Sequence, residues 1–129
     1  MRFEVGKEVG SERLREHLLS RIDAIAAEMI GKFSATDTQE RIYAQKYAEA
    51  KVVMSGGEPG PFIAAGAKLA DKSPNAVALE IIAKHDEVQT KIAIIEARRV
   101  RAKAGVRNAK DTDVSAVGKT WLEMLRTTV

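Results

Sequence analysis

From Val77 to Ile95 one face of the chain repeats at four, four, three, four and three residues, through Val77, Ile81, His85, Val88, Ile92 and Ile95. A strand shows every second residue on one face, so this spacing fits a helix and not a sheet. Ser73-Pro74 supplies the start, a capping hydroxyl followed by proline at the first helical position. Gly105 supplies a natural stop, so the expected helix runs from about Pro74 to Ala104. At ~1.5 Å per residue it is roughly 45 Å long, more than a compact domain of this size needs. The stripe averages near the heptad spacing of a coiled-coil seam. The part beyond Val88 is therefore expected to pair between chains, and the rest to be covered within one chain.

Two further helices precede it. Ser11 is placed to cap a helix from about Glu12 to Phe33, whose face carries Leu14, Leu18, Ile22, Ile25, Met29 and Phe33. Gly31 marks its end. Thr36 or Asp37 caps a second helix reaching about Met54, with Tyr43, Tyr47, Ala50 and Met54 on its stripe and Ile42 and Val53 beside it. Ser55-Gly56-Gly57-Glu58-Pro59-Gly60-Pro61 then breaks the chain, since glycine and proline at this density cannot continue a helix. Phe62, Ala65 and Leu69 read as the stripe of a short helix over 62–72. After a polar link at 105–112, Asp113 caps a last helix bearing Val114, Val117, Trp121, Leu122 and Leu125.

These elements predict an all-α fold: an antiparallel helical hairpin or bundle with one long helix, a short extended N-terminal arm and a C-terminal helix. A chain of 129 residues suits one core. The composition agrees, with 45% hydrophobic and 30% charged residues but only 5% aromatic. The expected division is an arm at 1–10, a helical domain at 11–105, and a linker with C-terminal helix at 106–129. The arm is read as extended because Phe3 and Val5 alternate with Arg2 and Glu4 between glycines.

Part of this pattern resembles a known family. A helix "RIYAQKYAEAKVVMSGG", a Gly/Pro loop, "FIAAGAKLADKSPNAVALEIIAKHDE" and a long helix ending "IEARRVRAKAG" follow one another between about Ile22 and Ala109. This stretch resembles a helical domain of tail-associated proteins of double-stranded-DNA bacteriophages, described as tail, tail-fibre or fibre-assembly proteins. Tyr43, Lys46, Glu49 and Ala50 match the relatives' tyrosine-containing helix, while Ile81, Ile82, Ala83 and Lys84 match the helix leading into the basic tail. The resemblance implies a virion or assembly role and implies no catalytic residues. The N-terminal arm and the Trp121 helix lie outside it.

The residues themselves point away from chemistry. There is no cysteine, so disulfides and thiolate metal sites are excluded. His17 and His85 have no His-x-x-x-His partner, and no metal or cofactor is expected. His85, next to Asp86 and Glu87, reads either as a base paired with a carboxylate or, more simply, as a residue at a helix–helix seam. The Ser55–Gly60 segment lacks the Gly-Lys-Ser/Thr of a phosphate loop and reads as a turn. No catalytic set is found, and an enzyme is not expected.

The net charge of +3 is unevenly spread. Arg98, Arg99, Arg101, Lys103, Arg107 and Lys110 fall in one run without an acid; the remaining 15 basic residues face 18 acidic ones, leaving −3 elsewhere. The run is a candidate contact for phosphate or an acidic protein surface, or simply a solvated helix end complementing the C-terminal dipole. No interleaved aromatics support base stacking, so nucleic acid is the less expected partner. Phe3, Val5, Val117, Trp121 and Leu125 are the other contact candidates, because both chain ends are expected to lie outside the central core. No apolar run reaches the length of a membrane span, and no apolar signal core follows Met1. Synthesis in the host cytoplasm is expected, with the virion as final location or the cytoplasm as the alternative. The expected function is a virion structural protein of the tail, neck or baseplate, in several copies against other phage proteins. A tail or fibre assembly chaperone is one alternative, and a small nucleic-acid-binding regulator using residues 98–110 is another.

Overall fold

The computed structural model describes the backbone of residues 2–129 and side chains from Gly10 onward. Among them there are five helices and no strand: α1 (Arg2–Gly31), α2 (Asp37–Met54), α3 (Pro61–Ala70), α4 (Pro74–Asn108) and α5 (Val114–Leu125). The all-α reading with one long helix holds. The extended arm does not, because α1 begins at Arg2. Gly6 and Gly10 each weaken a helix by about 1 kcal/mol relative to alanine, but no proline interrupts it. The side chains of Phe3 and Val5 lie outside the described residues. Ser11 consequently sits within α1 rather than capping it; it is buried, and its hydroxyl donates to the Asp111 carbonyl at 3.3 Å.

The chain forms two compact units. Unit 1 comprises Met1–Lys32 and Lys91–Val129; unit 2 comprises Phe33–Thr90. They cut across the division expected at residues 10 and 105.

In unit 1, α1 and the second half of α4 run antiparallel, as successive contacts show. Asp23 meets Arg99 and Lys103, Arg15 meets Val106, and Ser11 meets Asp111. Leu18, Ile22 and Ala26 of α1 are buried with Ile95, Ala102 and Val106 of α4. The α1 and Ile95 stripes are thus turned inward, where each large apolar side chain contributes about 1.5–3 kcal/mol by leaving water. Arg15 closes the far end. Its side chain, 11% exposed, donates to the carbonyls of Val106 (2.6 Å), Arg107 (3.2 Å) and Ala109 (3.0 Å) and pairs with Asp111 at 2.8 Å. A guanidinium there satisfies carbonyls that the end of α4 leaves open and offsets its negative dipole.

The C-terminal helix is part of this core, contrary to the expectation that it lies outside. Val114 and Leu125 of α5 are fully buried. A side chain at Gly118 would run into Leu18, and one at Gly105 would run into the Trp121 indole. Gly105 therefore does not end α4. It lies inside the helix and provides the flat place where Trp121 packs, and α4 continues to Asn108. Asp113 sits at the N-cap of α5 without a side-chain capping bond.

Unit 2 holds α2, α3 and the first part of α4. Thr36 and Gln39 form a reciprocal capping box at α2. Helix α2 ends in a Schellman arrangement: Gly57 N–H donates to Val52 O (2.9 Å), Gly56 N–H donates to Val53 O (3.0 Å), and Gly56 has φ of 88°. The glycine-rich segment is thus a helix stop. At α4 the Ser73 hydroxyl accepts from Ala76 N–H at 3.1 Å, the cap read from Ser73-Pro74. The core here is small: Ala50, Val53, Ile63 and Ala78, with Val77, Ile81 and Ile82 against it.

The faces of α2 and α3 are rotated from the expected stripes. On α2 the buried residues are Glu49, Ala50 and Val53, while Tyr43 and Met54 are exposed. On α3 the buried residues are Ile63 and Ala67, while Phe62, Ala65 and Leu69 face out. Glu49 fixes this rotation. Its carboxylate, on a residue only 6% exposed, accepts from the Phe62 and Ile63 amides at 3.0 and 3.2 Å. A side chain at Gly60, the N-cap of α3, would collide with that carboxylate. Gly60 has no side chain to cap with, so α2 supplies the cap and its negative charge at the positive end of α3.

Candidate functional site

Half of the basic run is committed within unit 1. Arg99 and Lys103 both bind Asp23 at 2.8 Å, and Arg99 also holds Glu96 at 2.7 Å. The bonds from Lys103 and then Arg99 hold the Asp23 carboxyl below the usual carboxylate range, and Arg99 does the same for Glu96. Glu96 and then Asp23 push Arg99 upward, so it stays charged. Arg98 donates to the Thr127 carbonyl at 2.6 Å. That leaves Arg101, Arg107 and Lys110 exposed. Three of the six run residues thus tie α4 to itself, to α1 or to the segment after α5. The loss of those cations weakens the electrostatic case for a phosphate backbone, which gains with each one available.

The histidine readings separate cleanly. His85 stacks on Tyr47 with ring centroids 3.7 Å apart and planes at 17°, and Lys51 lies 5.2 Å from the Tyr47 centroid. His85 therefore occupies the α2–α4 seam of unit 2. His17 is exposed on α1. No group of three or more metal-binding side chains occurs among the described residues, and no described helix is long and apolar enough to cross a membrane.

Of the C-terminal contact candidates, Leu125 is fully buried in unit 1, and Val117 and Trp121 are half-buried. The largest apolar exposure lies elsewhere. Leu69 is 90% exposed, with Phe62 and Ala65 on the same side of α3. Tyr43, Val52, Met54 and Leu79 add exposed apolar side chains within unit 2. Sequence reasoning missed this surface because α3 is apolar on nearly every side, so periodicity alone could not tell its inner face from its outer one. A helix of that character normally buries more than one stripe. The signal that was present is the small pair Gly66-Ala67, which allows close approach on the inner side.

In unit 1, Ala93, Ala97, Val100 and Ala104 form a second exposed stripe on α4, flanked by Glu96 and Arg101. A groove of about 320 Å³ between α1 and α5 is floored by Leu14, Leu18 and Leu122 and rimmed by Lys119, Glu123 and Arg126.

No family model matches this chain, and no curated protein or solved structure matches it.

Proposed function

We propose that the protein is a structural component of a tailed-bacteriophage particle, present in several copies at the tail, neck or baseplate and acting through protein–protein contacts. The observation that carries this reading is the outward face of α3. An apolar side chain that is 90% exposed, with Phe62 and Ala65 beside it on a ten-residue helix, is poorly used in an isolated chain. Burial against another subunit recovers that area. The likeness of residues 22–109 to tail-associated helical domains supports the same reading. Its matched positions include Glu49 and Ala50, which cap α3 and fill the core beneath it, so the pattern maintains the presentation of that face.

The test is incorporation. Leu69→Asp and Phe62→Ser alter exposed side chains, so the melting temperature should stay close to the parent value. Both variants should be depleted from purified particles. Incorporation at the parent level would exclude this face as the assembly contact.

A further inference from the structure

Helix α4 in unit 1 has two apolar faces. Ile95, Ala102 and Val106 fill the core on one side. On the other side, Ala93, Ala97, Val100 and Ala104 are exposed, Val100 by 54%. Their spacing of four, three and four is that of a two-stranded helical seam. This is not the stripe from Val77 to Ile95, whose last member is buried within the chain.

The flanks identify an occupant. Glu96 stands on one edge of the stripe and Arg101 on the other, five residues further on. In a parallel pair of identical helices, residues so placed face each other across the seam, so the edge charges are self-complementary. Arg99 holds the Glu96 carboxylate in place, and Arg101 is exposed with no carboxylate partner among the described residues. Three alanines and one valine allow the helix axes to approach at the short end of the usual ~8–10 Å range.

We propose that this face of α4 pairs with the same face of a second copy, parallel and in register, with Glu96 of each copy meeting Arg101 of the other. The inference rests on the multi-copy reading and names one of its contacts. Arg107 takes the next seam position and sets like charges side by side, so the contact ends after Ala104. A contact about three turns long is weak alone and gains from repetition in an assembly.

The absence of cysteine makes the register directly measurable in the full chain. Ala97→Cys and Val100→Cys, each alone, should form disulfide-linked dimers under mild oxidation at high protein concentration. A mixture of Ala93→Cys and Ala104→Cys chains, which only an antiparallel pair brings together, should give no preferential heterodimer. Arg101→Glu should weaken association about tenfold, as expected for losing two rim charge pairs and gaining repulsion, and Arg107→Leu should strengthen it. All these positions are exposed, so unchanged circular dichroism melts identify folded variants. A strict monomer without cross-linking of Ala97→Cys overturns the proposal, as does preferential linkage in the antiparallel mixture. Particle analysis judges the parent reading separately. A chain found in particles that fails to cross-link overturns the pairing alone, whereas a cross-linked chain absent from particles overturns the particle role alone.

Discussion

Removing the Glu49 carboxylate should loosen α3 before anything else in unit 2. The carboxylate satisfies two amides of the first turn of α3, at 3.0 and 3.2 Å, and does so from a residue 6% exposed. A neutral cap is worth ~1 kcal/mol, and a hydrogen bond to a charged acceptor about 1.5–3 kcal/mol. These contributions overlap with the favourable charge at the helix N-terminus. Glu49→Ala is therefore expected to cost about 2–3 kcal/mol locally. Glu49→Gln keeps an accepting oxygen and loses the charge, for about 1 kcal/mol. The assay is native-state hydrogen exchange at Phe62 and Ile63, where 2–3 kcal/mol corresponds to roughly 30- to 150-fold faster exchange. The order parent, Gln, Ala should appear at those amides. Unchanged exchange in Glu49→Ala would refute the cross-helix cap.

Other outcomes follow from particular contacts. Gly10→Ala should stabilise the protein by about 0.5–1 kcal/mol, since a side chain there meets nothing. Gly105→Ala should destabilise it by about 1–2 kcal/mol despite the better helix propensity, because the new methyl displaces Trp121; thermal melts of both variants check the opposite signs. Asp23 has its pKa lowered in the fold, so its contribution is present above the ordinary carboxylate value and is lost as pH falls through the lower folded value. Asp23→Asn should therefore be less stable than the parent at neutral pH, and the gap should narrow on acidification; a gap that stays constant down to strong acid would contradict this. Deleting residues 113–129 should collapse the melting transition of unit 1, because Val114 and Leu125 are fully buried there; an unchanged transition would place α5 outside the core.

The helices themselves were legible wherever apolar residues recur against a polar background. The α1 stripe through Leu18 and Ile22 faces inward as read, the Thr36 and Ser73 caps are present, and the Ser55–Gly60 segment breaks the chain. Four features were not legible, for physical reasons. Gly105 looks like a helix end in sequence, and only the Trp121 ring packed on it shows why a glycine belongs inside α4. Periodicity on an almost wholly apolar helix does not choose a face, and the choice for α3 comes from Glu49, which lies 13 residues before Phe62. The basic run reads as an open surface because its partners are distant in sequence: Asp23 lies 76 residues from Arg99 and 80 from Lys103. The exposed stripe of α4 was hidden in turn by its alanines, which score as helix formers before they score as contacts.

The measurement that tests the central claim most directly is quantitative mass spectrometry of purified tailed-phage particles from cells in which the gene is expressed during infection. A structural component should co-purify with particles through density-gradient and high-salt washing, in a fixed ratio of several copies per particle. Leu69→Asp should lower that ratio while leaving the soluble chain folded. Absence of the chain from washed particles, with the folded protein remaining in the lysate supernatant, would contradict the account.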